Sequence, residues 1–214
     1  MRLHGFWRSS AAYRVRIALN LKGLQVDAVP VALPRGAHRA HEYRALNPQG
    51  LVPALETEHG VLGQSSAIIE YLDERWPTPP LLPADVGERA LVRSMAGIIT
   101  ADIHPLNNLR VLNRLRSVHG ADESAVTDWV KHWIGEGFDG LEALARHHSR
   151  TGLHSFGDQV SLVDLCLVPQ MYNARRFGCA LDAYPTLLAI DEHCRSLDAF
   201  RLAAPELQPD AVIL

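Results

Sequence analysis

Pro77-Thr78-Pro79-Pro80-Leu81-Leu82-Pro83 sets four prolines within seven positions. Each proline removes a backbone donor and clashes with a preceding helical turn, so no helix runs through this segment and no central strand contains it. The chain must therefore fold as two parts joined here. The predicted domains are 1–78 and 84–214. With 214 residues, 47% of them hydrophobic, the chain can give each part a core of its own.

Before the linker the pattern alternates between strand and helix. Leu3 to Trp7 reads as a strand and Ser10 to Lys22 as a helix, with Ala11, Val15, Ala18 and Leu19 on one face and Gly23 as its stop. Val26 to Leu33 reads as a second strand, and Pro30 within it predicts a sheet edge. Strand, helix and strand in so short a span form a crossover unit, so these two strands are expected to be parallel. Val52 to Thr57 and Val61 to Gln64 form a hairpin around Glu58-His59-Gly60, and Ser65 to Trp76 follows as a helix. The order βα, β, connection, ββα is that of a thioredoxin-like domain. After the linker, helical periodicity covers Glu88 to Arg116, Ser124 to His148, Leu162 to Phe177 and Pro185 to Arg201. The fold class is thus an α/β thioredoxin-like N-terminal domain followed by an all-α helical bundle.

Composition excludes several functions. A net charge of −3 offers no basic field, so no nucleic acid partner is expected. No apolar run approaches the ~20 residues of a membrane span, so no membrane partner is expected either. The start at Met1-Arg2-Leu3-His4 has no secretory h-region, and the three cysteines, Cys166, Cys179 and Cys194, include no C-x-x-C pair. They read as reduced thiols of a cytoplasmic protein. The eleven histidines include His38-x-x-His41 and His147-His148, but neither pair has a third ligand nearby in sequence, and no H-E-x-x-H occurs. No metal site is expected.

Three segments of the first part could carry chemistry. Arg8-Ser9-Ser10 lies at the turn from the first strand into the first helix. A hydroxyl there could cap the helix or hold a bound thiolate. A thiol near pKa 8.5 is only a few per cent ionised at neutral pH, and lowering it by ~2 units takes roughly 2.7 kcal/mol. One charge-assisted hydrogen bond with a helix N-terminus supplies about that much. Asn47-Pro48-Gln49-Gly50-Leu51-Val52-Pro53 precedes a buried strand. A trans Val52-Pro53 bond is the ordinary state, whereas a cis bond would turn the Val52 backbone outward to pair with an extended peptide. Gln64-Ser65 opens a helix, where unpaired N–H groups and the dipole favour a carboxylate. Capping explains Ser65 and leaves Gln64 unexplained.

In the second part, Asp102-Ile103-His104-Pro105-Leu106-Asn107-Asn108-Leu109-Arg110 forms a polar cluster, expected mid-helix at a proline kink. Arg110 is either a site residue or a salt-bridged surface residue. Asn173-Ala174-Arg175-Arg176 ends a helix, where the dipole favours cations, and this is the plainer reading for at least one of the two arginines. Ser161-x-x-Asp164 before an apolar run reads as a capping box that serves folding.

Taken together, these residues resemble the glutathione transferase superfamily over essentially the whole chain. Arg8 to Leu19, Asp102 to Arg110 and the tail Gln208-Pro209-Asp210 are similar to its zeta class. Members of that class are maleylacetoacetate isomerases and the related bacterial maleylpyruvate isomerases. Ala11 stands where the class usually carries cysteine.

The resemblance implies the glutathione transferase fold, glutathione as cofactor and a homodimer. It implies that Ser9, with Ser10 at the same turn, activates the glutathione thiol. Gln49, Val52 and Pro53 would meet the glutathione backbone, Gln64 and Ser65 its γ-glutamyl end, and His104 and Asn108 would border the site. Arg8, Arg110 and Arg176 would bind the carboxylates and the developing enolate of a dicarboxylic keto acid substrate. The implied activity is glutathione-dependent cis–trans isomerisation. The alternatives are a transferase conjugating or dehalogenating α-haloacids and other electrophiles, and a non-catalytic binding module.

Overall fold

The computed structural model describes residues 1–211. The contacts divide it into two units, Met1–Leu81 with Ser196–Leu214, and Leu82–Arg195.

The first unit is built on β1 (Arg2–Gly5), α1 (Ser10–Leu21), β2 (Asp27–Pro30), α2 (His41–Leu46), β3 (Ala54–Thr57), β4 (Gly60–Leu62) and α3 (Ser65–Arg75). The sheet order is β2-β1-β3-β4, with β1 parallel to β2 and the other neighbours antiparallel. β2 is an edge strand, so Pro30 removes no donor that a further strand would need. Its strands are shorter than the apolar runs suggest. β1 stops at Gly5 because the chain turns at once into α1, with Ser9 N donating to Phe6 O at 2.9 Å. α2 was not expected, since no residue of its six is buried and it shows no apolar stripe. α1 and α3 pack together, and Val15, Ala18, Leu55, Ile68 and Leu72 are fully buried. Each large side chain buried this way contributes about 1.5–3 kcal/mol.

The second unit contains α4 (Val86–Gly97), α5 (Leu109–His119), α6 (Glu123–His148), α7 (Leu162–Arg176) and most of α8 (Pro185–Ser196). The helix expected over Glu88 to Arg116 is broken. α4 widens into a π-helical stretch, Ile98–Ile103, then turns, and α5 begins anew. Pro105 has no N–H to continue the ladder, and the Asn108 side chain accepts from Arg110 N at 3.1 Å as a fresh cap. The π-helical stretch packs on α6 at Gly137, where an added Cβ would lie 2.3 Å from Ile103 Cδ1. The Ser161–Asp164 capping box is present, with both Asp164 oxygens engaged: Oδ2 accepts from Ser161 N and Oδ1 from Ser155 N, each at 2.7 Å.

The run Pro185 to Arg201 is also divided. Leu197 is extended, and a short α9 (Asp198–Arg201) follows. α9 packs on α1, and the Tyr13 hydroxyl donates to Phe200 O at 3.3 Å. The C-terminal segment therefore shares its contacts with the first unit, although it follows the helical part in sequence.

Candidate functional site

Ser9 is the N-cap of α1. Its Oγ accepts from Ala12 N at 3.2 Å, which leaves the hydroxyl proton available to an acceptor beyond the helix end. Ser10 is the first residue of α1 and is half-buried, as are Arg8 and Ser9. The Arg8 guanidinium lies 5.3 Å from the Trp7 ring centroid. The Trp7 peptide before this turn is held on both sides. Its N–H donates to Asp210 Oδ2 at 3.1 Å, and its carbonyl accepts from Arg16 Nη2 at 3.0 Å. Arg16 Nε also donates to Ala203 O at 3.0 Å. Burial lowers the Arg16 pKa to about 10, while Tyr13, Asp210 and Glu206 act in the opposite direction.

The loop before β3 folds around Asn47, whose Nδ2 donates to Leu51 O at 2.8 Å and whose Oδ1 accepts from Gln49 N at 3.3 Å. Gly50 has φ 61°, and a Cβ there would meet His38 O at 2.9 Å, so only glycine fits without strain. Val52-Pro53 is cis. The loop brings Gln49 to Gln64, whose Nε2 donates to Gln49 Oε1 at 2.9 Å.

Gln64 is the N-cap of α3, at φ 62° and ψ 112°. It is the one non-glycine residue with positive φ among those described. A non-glycine residue held there costs about 1–3 kcal/mol and persists only where the surroundings enforce it. Ser65, next in line, is buried, and its Oγ accepts from Arg14 Nη1 at 3.2 Å. A guanidinium only donates, so this bond uses a lone pair of Ser65 and turns the hydroxyl proton elsewhere.

His104, Asn108 and Arg110 belong to the second unit. The expected mid-helix cluster is instead the broken turn between the π-helical stretch and α5. His104 N donates to Ile99 O at 2.9 Å, Asn108 caps α5, and Arg110 is exposed in the first turn of α5. Trp129 Nε1 donates to Leu106 O at 3.0 Å and ties this turn to α6. A cation in a first helical turn opposes the dipole, so the local helix gives no reason for Arg110. The two arginines ending α7 differ. Arg175 pairs with the buried Asp191 at 2.6 Å, which is a folding role. Arg176 is exposed, with its guanidinium 4.7 Å from the Phe177 ring centroid.

Residues 3–80 match the family model for the glutathione S-transferase N-terminal domain. A maleylpyruvate isomerase of a Ralstonia species is 51% identical over 99% of this chain and 100% of its own. The chain belongs to the zeta-class glutathione transferases. A solved holo structure of a zeta-class maleylpyruvate isomerase is 51% identical, with a TM-score of 0.97 over 99% of this chain and 100% of that one. The maleylacetoacetate isomerase of Methylobacterium extorquens AM1, solved with bound malonate and glutathione, is 39% identical, with a TM-score of 0.95 over the whole of both chains.

Within this zeta-class transferase, sequence reasoning missed the buried Arg14 and the half-buried Arg16. The signal for Arg14 was present. It stands three residues after Ala11 and four before Ala18, on the apolar face of α1, where a charge needs a reason. It also missed a buried group formed by His154, Asp164 and Cys194, whose ligand-type atoms lie within 4.8 Å of one another. Asp164 is committed to the capping box, and burial pushes the Cys194 thiol well above its ordinary value.

Proposed function

We propose that this zeta-class transferase is a glutathione-dependent cis–trans isomerase of aromatic-compound catabolism. It would convert maleylacetoacetate or maleylpyruvate to the fumaryl isomer. The observation that carries this reading is the start of α3. There a strained Gln64 is bonded to Gln49, beside a buried Ser65 whose hydroxyl is oriented by Arg14. Such an arrangement suits the charged end of a small peptide and has no use in capping alone.

The residues fit glutathione. Gln64 and Ser65 would hold its γ-glutamyl end, Val52, Pro53 and Gln49 its backbone, and His104 and Asn108 would border it. When bound, glutathione supplies a thiolate that adds reversibly across the cis double bond, which then rotates as a single bond. The Ser9 hydroxyl would donate to the sulfur and favour the thiolate over the thiol. Ser10, in the first turn of α1, would present its N–H toward the same charge. Arg8, Arg110 and Arg176 would receive the two carboxylates and the carbonyl oxygen on which charge develops, since a guanidinium fork matches planar oxyanions. The relative solved with both malonate and glutathione bound supports a dicarboxylate substrate.

Two further expectations accompany the proposal. The protein is a homodimer, so it should sediment at twice the chain mass. It acts in the cytoplasm, in keeping with its free cysteines; among the described residues no helix is long and apolar enough to cross a membrane.

The test is an absorbance assay with both cis substrates, with and without glutathione. Turnover that needs glutathione without consuming it supports the isomerase, and the ratio of kcat/KM values names the substrate. Stoichiometric loss of glutathione with an α-haloacid, and no isomerisation, would replace this reading with a conjugating transferase.

A further inference from the structure

Asp210 lies at the far end of the chain, yet its carboxylate receives the backbone N–H of Trp7 at 3.1 Å, two residues before Ser9. β1 has already ended at Gly5, so no strand partner serves this N–H. The carbonyl of the same residue accepts from Arg16, and Arg16 reaches the C-terminal segment through Ala203 O. Both sides of the Trp7 residue are therefore tied to residues 203–210. That segment has its own structure. Gln208 Nε2 donates to Leu202 O at 3.1 Å and to Ala204 O at 2.8 Å, Pro205 to Leu207 form a 3-10 turn, and Ala203 is buried. Downstream, Ser9 N donates to Phe6 O and Ser9 Oγ accepts from Ala12 N. Trp7 lies inside this Phe6–Ser9 turn, two residues before the hydroxyl.

We propose that Asp210 is a positioning residue for the Ser9 turn. Through the Trp7 N–H, and with Arg16 on the Trp7 carbonyl, it fixes where the Ser9 hydroxyl is presented to a bound thiol. The proposal rests on the role given to Ser9 above. A hydroxyl that stabilises a thiolate must be held within a few tenths of an ångström of its productive place, and a strand-to-helix turn of four residues does not supply that rigidity alone. The carboxylate of Asp210 supplies a charge-assisted hydrogen bond, about twice as strong as a neutral one. It acts through Trp7 and touches no reacting atom.

The experiment compares the full-length protein with Asp210→Ala and Asp210→Asn. Three quantities are read: amide hydrogen exchange at Trp7 without ligand, the pH titration of bound glutathione by thiolate absorbance, and kcat against KM. Asp210→Ala is expected to speed Trp7 exchange by about tenfold, the loss of one hydrogen bond to a charged group. The bound thiol should then titrate at higher pH. At neutral pH kcat should fall several-fold, while KM for glutathione changes by less than about twofold, because the residues at α3 are untouched. Asp210→Asn keeps an acceptor oxygen and should recover most of each loss. If the alanine variant does not fold, Arg16→Lys carries the test. It keeps a charge, loses the fork that spans Trp7 and Ala203, and should shift the thiol titration in the same direction.

Unchanged exchange at Trp7 in Asp210→Ala would overturn the proposal. So would faster exchange with an unchanged thiol titration, which would make the tail a folding tie only. A wild-type protein that binds glutathione without lowering its thiol pKa would instead overturn the role of Ser9, and the positioning role with it. Trp7 exchange would still read the clamp in that case.

Discussion

Arg14 is 1% exposed, and its Nη1 donates to Ser65 Oγ. A buried guanidinium is costly unless its charge is used, and the start of α3 is where an anion would use it. Ser65 accepts from Arg14, which leaves its hydroxyl proton for another acceptor, a directionality that capping would not require. Arg14→Met keeps the length and apolar stem and removes the donors. We expect it to raise KM for glutathione by about tenfold, as for loss of a hydrogen bond to a charged group, with a smaller effect on kcat. Steady-state kinetics at varied glutathione checks this. Equal losses in kcat and kcat/KM, with KM unchanged, would show instead that Arg14 acts only in the transition state.

Among the elements, the sheet carries an acid-sensitive contact. β1 and β3 place Arg2 opposite Glu56 and His4 opposite Ala54. His4 Nε2 and Glu56 Oε1 are 2.5 Å apart, and Arg2 Nη1 is 3.8 Å from Oε2. The His4 hydrogen bond, chiefly, holds the Glu56 carboxyl below the usual carboxylate range. A carboxyl whose folded pKa is depressed contributes stability above its unfolded pKa and loses it as pH falls through the folded value. Glu56→Gln should therefore lower stability at neutral pH slightly and flatten its fall below about pH 4. Urea unfolding midpoints between pH 3 and 7 would show it, and parallel pH profiles for the two proteins would count against it.

At the scale of the whole molecule, each unit has its own core. In the second, Phe138 is fully buried, with its ring 5.5 Å from that of Tyr184 in an edge contact. Truncating a large aromatic in such a core costs about 3–5 kcal/mol. Phe138→Ala is expected to lose that much in denaturant unfolding, with the Trp7 peptide clamp of the first unit kept, as read by hydrogen exchange. A loss under about 1 kcal/mol would mean the site collapses freely around the missing ring. The C-terminal segment complicates any division by sequence. Residues from Ser196 follow the helical part yet build on α1 of the first unit.

Several features were legible in the chain because they are local. Four prolines interrupt any regular element, whatever packs nearby. Pro30 at the sheet edge, Gly23 after α1 and the Ser161–Asp164 box each follow from backbone geometry within a few residues. Apolar periodicity located the long helices, since a 3.6-residue stripe has one way to be buried. The place of Ser9 before an apolar run makes it a candidate cap, and it is one. What the sequence alone left open depends on partners far along the chain. At Pro105 the sequence predicts a kink and the structure has a break, because whether a proline bends or ends a helix depends on what caps the next turn, here Asn108. The purpose of Arg14 rests on Ser65, 51 residues away, and that of Trp7 N–H on Asp210, 203 residues away. A hydrogen bond leaves no periodic trace in sequence, so these pairings were decided by tertiary structure alone.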